Sequence, residues 1–399
     1  MSIMRSYCKN LLFGHSNMPF LRRAINCAVA FFTLRYVRHA TFEQLSRADY
    51  DVRTYDDGAV PLKPEKATRR LGPVKIQQPV VTPKVAVLRD VLLFDKNLAL
   101  LPDGRYCYYD TKFSYAKTRN CGNLGRSAVV HVDDATDSML IRRHHPCTEL
   151  SGRYFSILSE HSMNFGHFVH DVLSRIYYED LGVIVPGREK LIVNEMRLPM
   201  MKALLSYVFA GYETVEVSRW PIRVEELLLP ANMCKPNMFN PAAIAALARR
   251  IRRIHAHHSG KEKYKICVSR KEDIKANKAT FRDFANMEAY ETRMRELGYR
   301  VVNTLEMDSK EQFALWANTT DIVGIHGAGM MNMIMMPSGG IYTEIARMGP
   351  RKKTYGKSWT ARCAVAAGHH VAVIAFPPDA QGHQEIDLDQ LESLLSDAY

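Results

Sequence analysis

This chain of 399 residues lacks the sequence marks of several common enzyme classes, and each absence removes a reading. It contains no G-x-G-x-x-G, so the usual dinucleotide fingerprint of Rossmann-fold dehydrogenases and epimerases is missing. There is no Walker loop and no G-x-S-x-G nucleophile elbow, which argues against P-loop NTPases and lipase-type hydrolases. Cys8, Cys27, Cys107, Cys121, Cys147, Cys234, Cys267 and Cys363 are scattered, and none forms C-x-x-C, so a zinc ribbon or thioredoxin-like centre is not expected. Cys267 and Cys363 sit in apolar contexts and read as buried thiols. A reducing compartment is the simpler reading, although Cys107, Cys121 and Cys147 could pair in an oxidising one. Acidic residues are absent from the first 42 positions, which carry Arg5, Lys9, Arg22, Arg23, Arg35 and Arg38. The apolar stretch Ala24–Leu34 within them is broken by Asn26 and is too short to span a bilayer. It reads as a poor signal-peptide core, a basic amphipathic segment on an anionic membrane surface, or a solvated extension with one packed helix.

What is present is ordinary for a globular protein of two domains: 47% hydrophobic and 24% charged residues, with a formal net charge of +12. The charge points to an anionic partner. No RRM core, zinc pair or continuous basic arm accompanies it, so nucleic acid is not an expected partner. Residues 1–84 read as a basic extension and a linker punctuated by Pro61, Pro64, Pro73, Pro79 and Pro83. Residues 85–240 read as a first α/β domain. Val85–Leu88, Val91–Phe94, Leu98–Leu101, Arg153–Leu158, Lys190–Val193 and Val215–Val217 are expected strands, and helices are expected from Phe165 to Leu181 and from Leu198 to Ala210. Asn240-Pro241 opens a helix that ends in Arg249, Arg250, Arg252, Arg253 and His255. Residues 241–260 therefore read as an interdomain helix whose cationic end suits the helix dipole. Residues 261–385 alternate strand and helix as a doubly wound, Rossmann-like domain does, and 386–399 form an amphipathic terminal helix.

Three constellations carry chemistry. Asp321-Ile-Val-Gly-Ile-His326-Gly327-Ala328-Gly329 reads as a strand breaking into a glycine turn before a methionine-rich helix. That geometry either cradles a phosphate on backbone N–H groups or simply needs small residues for packing. His167, Asp171 and Arg175 stand at i, i+4 and i+8 on one expected helix, with His170 beside them. The row can orient a base or grip an anion, or form a plain electrostatic ladder. Arg270 ends a predicted strand, where open α/β sheets bind ligands, and with Arg282 it can neutralise a diphosphate. Glu344 lies in an apolar strand, where it must be paired or accept hydroxyl hydrogen bonds from a ligand such as ribose. His255, His257 and His258, and the pair His369-His370, lack suitable co-ligands, so no metal site is expected.

In this order the segments Asn164-Phe-Gly-His167…Asp171-Val-Leu-Ser-Arg175, Val268-Ser269-Arg270…Arg282…Asn286-Met-Glu288, Gly324-Ile-His326-Gly327-Ala328-Gly329-Met-Met-Asn332 and Tyr342-Thr-Glu344-Ile resemble glycosyltransferase family 61 over roughly residues 150–376. The chain departs from the family's usual pattern at Phe168, commonly Trp, and Ser174, commonly Pro. The resemblance implies a GT-B fold, two Rossmann-like domains facing a cleft with the nucleotide on the C-terminal one. It implies inverting transfer from a nucleotide-sugar, a UDP-sugar here, to an acceptor hydroxyl without a metal or other cofactor. His167 and Asp171 then become the base or base-orienting pair. Arg270, Arg282, His326, Gly327, Ala328, Gly329, Asn332 and Glu344 become donor contacts, with Asn164, His170 and Arg175 acceptor-side or structural. Glycan or glycolipid acceptors in surface polysaccharide (capsule) synthesis and a cytoplasmic, membrane-peripheral setting are the corresponding expectations. The competing reading is a non-catalytic carbohydrate- or nucleotide-binding subunit of an assembly complex.

Overall fold

The computed structural model describes residues 34–39, 51–55, 58, 80–94, 98–103, 105–108, 129–133, 138–142, 148–159, 161–235, 238–270, 284–347, 358–376 and 384–396. Its first unit is built on an eleven-stranded sheet: β1 (Leu34–His39), β2 (Asp51–Thr54), β3 (Lys84–Phe94), β4 (Leu98–Leu100), β5 (Arg105–Tyr108), β6 (Val129–Asp133), β7 (Ser138–Arg142), β8 (Thr148–Ser156), β9 (Lys190–Asn194), β10 (Thr214–Val217) and β11 (Ile222–Pro230). The order is β10-β9-β8-β11-β3-β4-β5-β1-β7-β6, with β2 on β3. Strands β10, β9, β8 and β11 are mutually parallel, and β11 meets β3 antiparallel. A doubly wound pattern is thus confined to four strands of this unit, and most of the others extend it as antiparallel pairs.

Three sequence expectations change here. Leu34–His39 and Asp51–Thr54, assigned to the extension and linker, pair into the sheet. Val85–Leu88 and Val91–Phe94 are one strand, continuous through Asp90 at φ 52°. Strand β11 was not anticipated, although it joins the parallel and antiparallel halves. Arg223, Glu225 and Glu226 interrupt its apolar run, and all three are taken up by cross-strand partners: Arg223 binds Asp90 at 2.8 Å, Glu225 accepts the Gly152 N–H at 2.6 Å, and Glu226 lies 3.2 Å from Arg153.

After a short hairpin of β12 (Cys234–Lys235) and β13 (Met238–Phe239), the second unit holds five parallel strands: β14 (Tyr264–Val268), β15 (Arg300–Val302), β16 (Thr319–Ile325), β17 (Ile341–Arg347) and β18 (His370–Phe376). Their order is β15-β14-β16-β17-β18, so the chain reverses direction across the sheet between β14 and β16. Long apolar strands such as Ile322-Val-Gly-Ile are what a sheet covered on both faces requires. Helix Ser309–Ala317 opens with the expected capping box: Asp308 Oδ1 accepts the Glu311 N–H at 2.9 Å, and Glu311 accepts the Asp308 N–H at 2.8 Å. The terminal helix Leu388–Ser396 buries Leu391 and Leu395 among Cys267, Tyr290 and Met294, against its own unit.

One hydrophobic core runs through both units, from Phe155, Val172 and Leu204 in the first to Met330, Met335 and Cys363 in the second. Helix Pro241–His255, capped by Asn240 Oδ1 on the Ala243 N–H, lies in that core. It ties the units with ions as well. Arg250 binds Glu179 at 3.0 Å, and Arg252 donates to the carbonyls of Met336 (2.7 Å) and Ala367 (2.6 Å). The Arg252 guanidinium also lies 3.2 Å from Nε2 of His369, which donates to Met333 O at 2.9 Å. Burial, reinforced by the Arg252 charge, pushes the His369 imidazole down to about 4. The unfolded chain therefore takes up a proton before the folded one does. The His369 contribution is complete above about pH 6.5 and is lost as pH falls toward 4, a change of about 3 kcal/mol. Urea unfolding at pH 7 and pH 4.5 should show this loss, and His369→Gln should make the pH dependence shallower while lowering stability at pH 7.

Candidate active site

A cleft of about 500 Å³ opens at the carboxyl ends of β14, β15 and β16, where the second sheet reverses its order. Ligands of open α/β sheets bind at such a switch point. Val268, Ser269 and Arg270 line it from β14, and Ile325 and Gly327–Met330 from β16. The first unit supplies Asn164, Phe165 and Leu198–Met200, so the cleft lies between the two units. Asn303, Thr304 and Gln312 add polar groups, and Gln312 Nε2 fixes the intervening loop by donating to Thr304 O and Met307 O.

The glycine turn follows β16. The methionine segment after it is a 3₁₀-helix, Ala328–Met335, whose first carbonyl bond runs from Met330 N–H to Gly327 O. The N–H groups before that bond have no intrahelical partner and point out of the helix start. Gly327 is extended at φ 170°, so handedness does not demand glycine there. Close packing explains two other glycines. A Cβ on Gly324 would lie 2.7 Å from Met330 Sδ, and one on Gly329 3.0 Å from Val268 Cγ1. Arg270 Nη1 donates to His326 O at 3.0 Å, which brings the predicted arginine onto the predicted turn. Asn332 lines the same cleft and donates Nδ2–H to Gly329 O at 2.8 Å.

The histidine segment lies against this turn. Asn164 Oδ1 caps it by accepting the N–H groups of Gly166 and His167 at 3.0 and 3.3 Å. A Cβ on Gly166 would lie in van der Waals contact with Ala328, 3.5 Å from its Cα, so the two segments pack directly on each other. The helix is irregular: an α-turn Phe165–His167, a π-turn Phe168–Val172, a 3₁₀-turn Leu173–Ile176 and an α-turn Tyr177–Asp180. Ser174, where the family pattern has proline, lies inside the 3₁₀-turn and sends its hydroxyl to His170 O at 2.5 Å. π-turns concentrate at functional sites.

Asp171 sits inside that π-turn and accepts from both histidines, from His167 Nδ1 at 2.9 Å and from His170 Nδ1 at 2.7 Å. Burial opposes its ionisation, but the neighbouring His170 and His167 rings hold the carboxyl well below the usual carboxylate range. An ionised carboxylate only accepts, so both Nδ1 atoms carry hydrogen and the neutral His167 ring keeps its lone pair on Nε2. The His167 side chain is 41% exposed, whereas those of His170 and Asp171 are buried. Burial, partly offset by Asp171, pushes the His170 imidazole down, so it stays neutral. Its ring packs between His167 (4.8 Å) and Trp359 (5.1 Å), and Arg362 lies 4.7 Å from the Trp359 ring.

The expected row does not extend to Arg175. A π-turn followed by a 3₁₀-turn shifts the helical phase, and Arg175 turns inward to donate to Ser156 O (3.2 Å) and Leu158 O (2.8 Å) at the end of β8. Glu344 likewise does not offer itself to ribose. It is fully buried and accepts from His326 Nδ1 at 2.9 Å, Tyr342 Oη at 2.5 Å, Ser358 Oγ at 2.8 Å and Thr360 Oγ1. Arg282 lies outside the described residues. Asn286 clamps Ile386 through two hydrogen bonds and takes no part in the cleft. Sequence reasoning missed Ser358, Trp359 and Thr360. The available signal was Ser358 as an N-cap, whose Oγ accepts the Ala361 N–H at 3.0 Å. Among the described residues one cluster could hold a metal ion, His167, His170 and Asp171, whose ligand atoms lie within 4.8 Å of one another.

The cleft at the switch point of this α/β protein's parallel sheet is lined by Asn164 and Phe165, just before His167, and by Gly327, just after His326, while neither histidine–carboxylate pair is among its lining residues. Residues 165–343 match the profile of Glycosyltransferase 61, and the chain thus contains a domain of that glycosyltransferase family, beginning at the histidine helix and ending inside β17. No curated protein matches the chain. No helix among the described residues is long and apolar enough to cross a membrane.

Replacing Arg175 by methionine should lower unfolding stability by about 3 kcal/mol in urea titration, because two buried strand-end carbonyls lose their charged donor.

Proposed function

We propose that the protein is an inverting glycosyltransferase that moves a sugar from a UDP-sugar to an acceptor hydroxyl without a metal ion, on a GT-B-type pair of lobes. The observation that carries this reading is the His167–Asp171 pair standing on the helix start that packs against the Gly327–Gly329 turn. A base and an anion cradle then flank one cleft, as a single in-line displacement requires. The acceptor oxygen attacks the anomeric carbon while His167 Nε2 takes its proton, and Asp171 stabilises the imidazolium that forms. The bond from the anomeric carbon to the diphosphate oxygen breaks, and its electron pair leaves with UDP. Arg270, the N–H groups of the glycine turn and His326 receive that charge. Asn332 and the Asn303–Gln312 loop contact the donor elsewhere in the cleft. Surface-polysaccharide synthesis at the cytoplasmic face of a membrane, with a glycan or glycolipid acceptor, agrees with this reading and with the net charge of +12.

With UDP-sugars as donors, His167→Ala should lower kcat by about 10²–10⁴, the range for a lost general base, while calorimetric UDP affinity stays within about twofold. Asp171→Asn should act in the same direction. Loss of UDP binding in His167→Ala would sink the division of labour between base and cradle. Turnover should also survive dialysis against EDTA. Complete loss that Zn²⁺ or Mn²⁺ restores would instead make His167, His170 and Asp171 a metal centre.

A further inference from the structure

Three hydroxyls and one imidazole converge on a single carboxylate beneath the glycine turn. Glu344, with no exposed surface, receives His326 Nδ1–H, the Tyr342 phenol, and the Ser358 and Thr360 hydroxyls. Thr360 also stands 3.4 Å from His326 Nδ1 and 3.1 Å from Ser358 Oγ, so the cage is closed on itself. Ser358 and Thr360 begin helix Trp359–Ala366, and Trp359 between them packs on His170. One tripeptide thus touches both histidine–carboxylate pairs.

We propose that Thr360, with Ser358 and Tyr342, is a positioning residue for His326: the hydroxyl cage keeps Glu344 as an acceptor only, which fixes hydrogen on His326 Nδ1 and leaves Nε2 as the nitrogen that meets the leaving diphosphate. This rests on the reading of His326 as a contact of the leaving group. The physical reason is the cost of a buried charge. A carboxylate without water keeps its ionised form only when donors replace the water, and a missing donor lets it take a proton and become a donor itself. A protonated Glu344 would allow the His326 ring to lose Nδ1–H, and its position would no longer be fixed. Here burial opposes ionisation, but the donors, His326 foremost, hold the carboxyl below the usual range. Burial and the Glu344 charge push the Tyr342 phenol up, so it remains a donor throughout the working range. Among the described residues, charged or titratable groups near this cage include Arg270, on His326 O, the buried Arg362, whose Nε donates to Ser358 O at 3.3 Å, and Cys363, near Tyr342. Burial pushes the Cys363 thiol up to about 12, which leaves it neutral.

The test uses the full-length chain with Thr360→Val, Thr360→Ser and Tyr342→Phe, read by UDP-sugar kinetics and by ¹⁵N NMR of the histidine rings. Thr360→Val should lower kcat several-fold near pH 4.5 and little at pH 8, moving the acidic limb of the kcat profile up by about one pH unit with KM within twofold. Thr360→Ser should restore the wild-type profile, and Tyr342→Phe, which keeps the ring, should shift the limb in the same direction. The His326 Nδ1–H resonance should be retained in Thr360→Ser and broadened in Thr360→Val at equal pH. A Thr360→Val profile identical to wild type, or a loss that is equal at every pH and not rescued by serine, would overturn the proposal. So would an unchanged Nδ1–H resonance. If the wild-type protein turns over no UDP-sugar, the transferase reading fails, and the resonance alone decides whether the cage holds the ring.

Discussion

The close approach of Gly166 to Ala328 is the constraint on which the rest of the site depends. A Cβ at position 166 would already touch Ala328, at 3.5 Å from its Cα, and would press on the Asn164 cap at 3.2 Å, so the histidine helix starts in direct contact with the glycine turn. That approach is backed by a hydrophobic core shared by both units, in which Phe168, Val169 and Val172 join Met330, Met331 and Met333. Interfaces between domains in one chain are commonly modest and polar, and they permit motion. This one is an apolar core reinforced by Arg252 on the carbonyls of Met336 and Ala367. The two histidine–carboxylate pairs are therefore held by packing against a common framework.

The two pairs solve one electrostatic problem in different ways. Each carboxylate is buried, and each must replace its lost water with donors. Asp171 does so with two imidazoles, one buried and one 41% exposed. Glu344 uses one imidazole and three hydroxyls. The difference bears on reactivity. Hydroxyl donors stay neutral and stay put, so the Glu344 pair is a rigid orienting device. At Asp171 the partly exposed imidazole of His167 leans on a carboxylate that stays ionised. Under the proposed reading this asymmetry favours His167 as the base and His326 as the fixed contact.

Much of the second unit was legible in the sequence, because its parallel strands are built around short apolar stretches such as Ile322–Ile325 and a helix between them opens on the Asp308 capping box. The first unit was less so. Its strands find partners far along the chain, as β11 does with β3, and charged residues on β11 hide the strand from a reading by period. The residues of the site were found more easily than their roles. Counting by fours joins His167 to Asp171, and the helix is regular enough there for the pair to form. The same count fails at Arg175, because a π-turn intervenes and no local pattern announced it. Glu344 was flagged as a buried carboxylate in need of partners. Three of the four partners are hydroxyls, which are common in any sequence and carry no signal of their own until the fold gathers them.

The glycine turn itself shows why a motif must be weighed against its packing. Gly324 and Gly329 pack tightly on Met330 and Val268, whatever the cleft binds, so glycine content alone says nothing about phosphate. What favours an anion is the arrangement around the turn. Residues Gly327, Ala328 and Gly329 at the start of the 3₁₀-helix line a cleft at the sheet's switch point, and Arg270 in the same lining is tied to the turn through His326 O. Under the proposed reading, packing glycines and an anion cradle are not alternatives. The tight seat of the turn on Val268 is what holds its backbone still enough for N–H groups to act as fixed donors, which is where preorganised stabilisation of a leaving anion comes from.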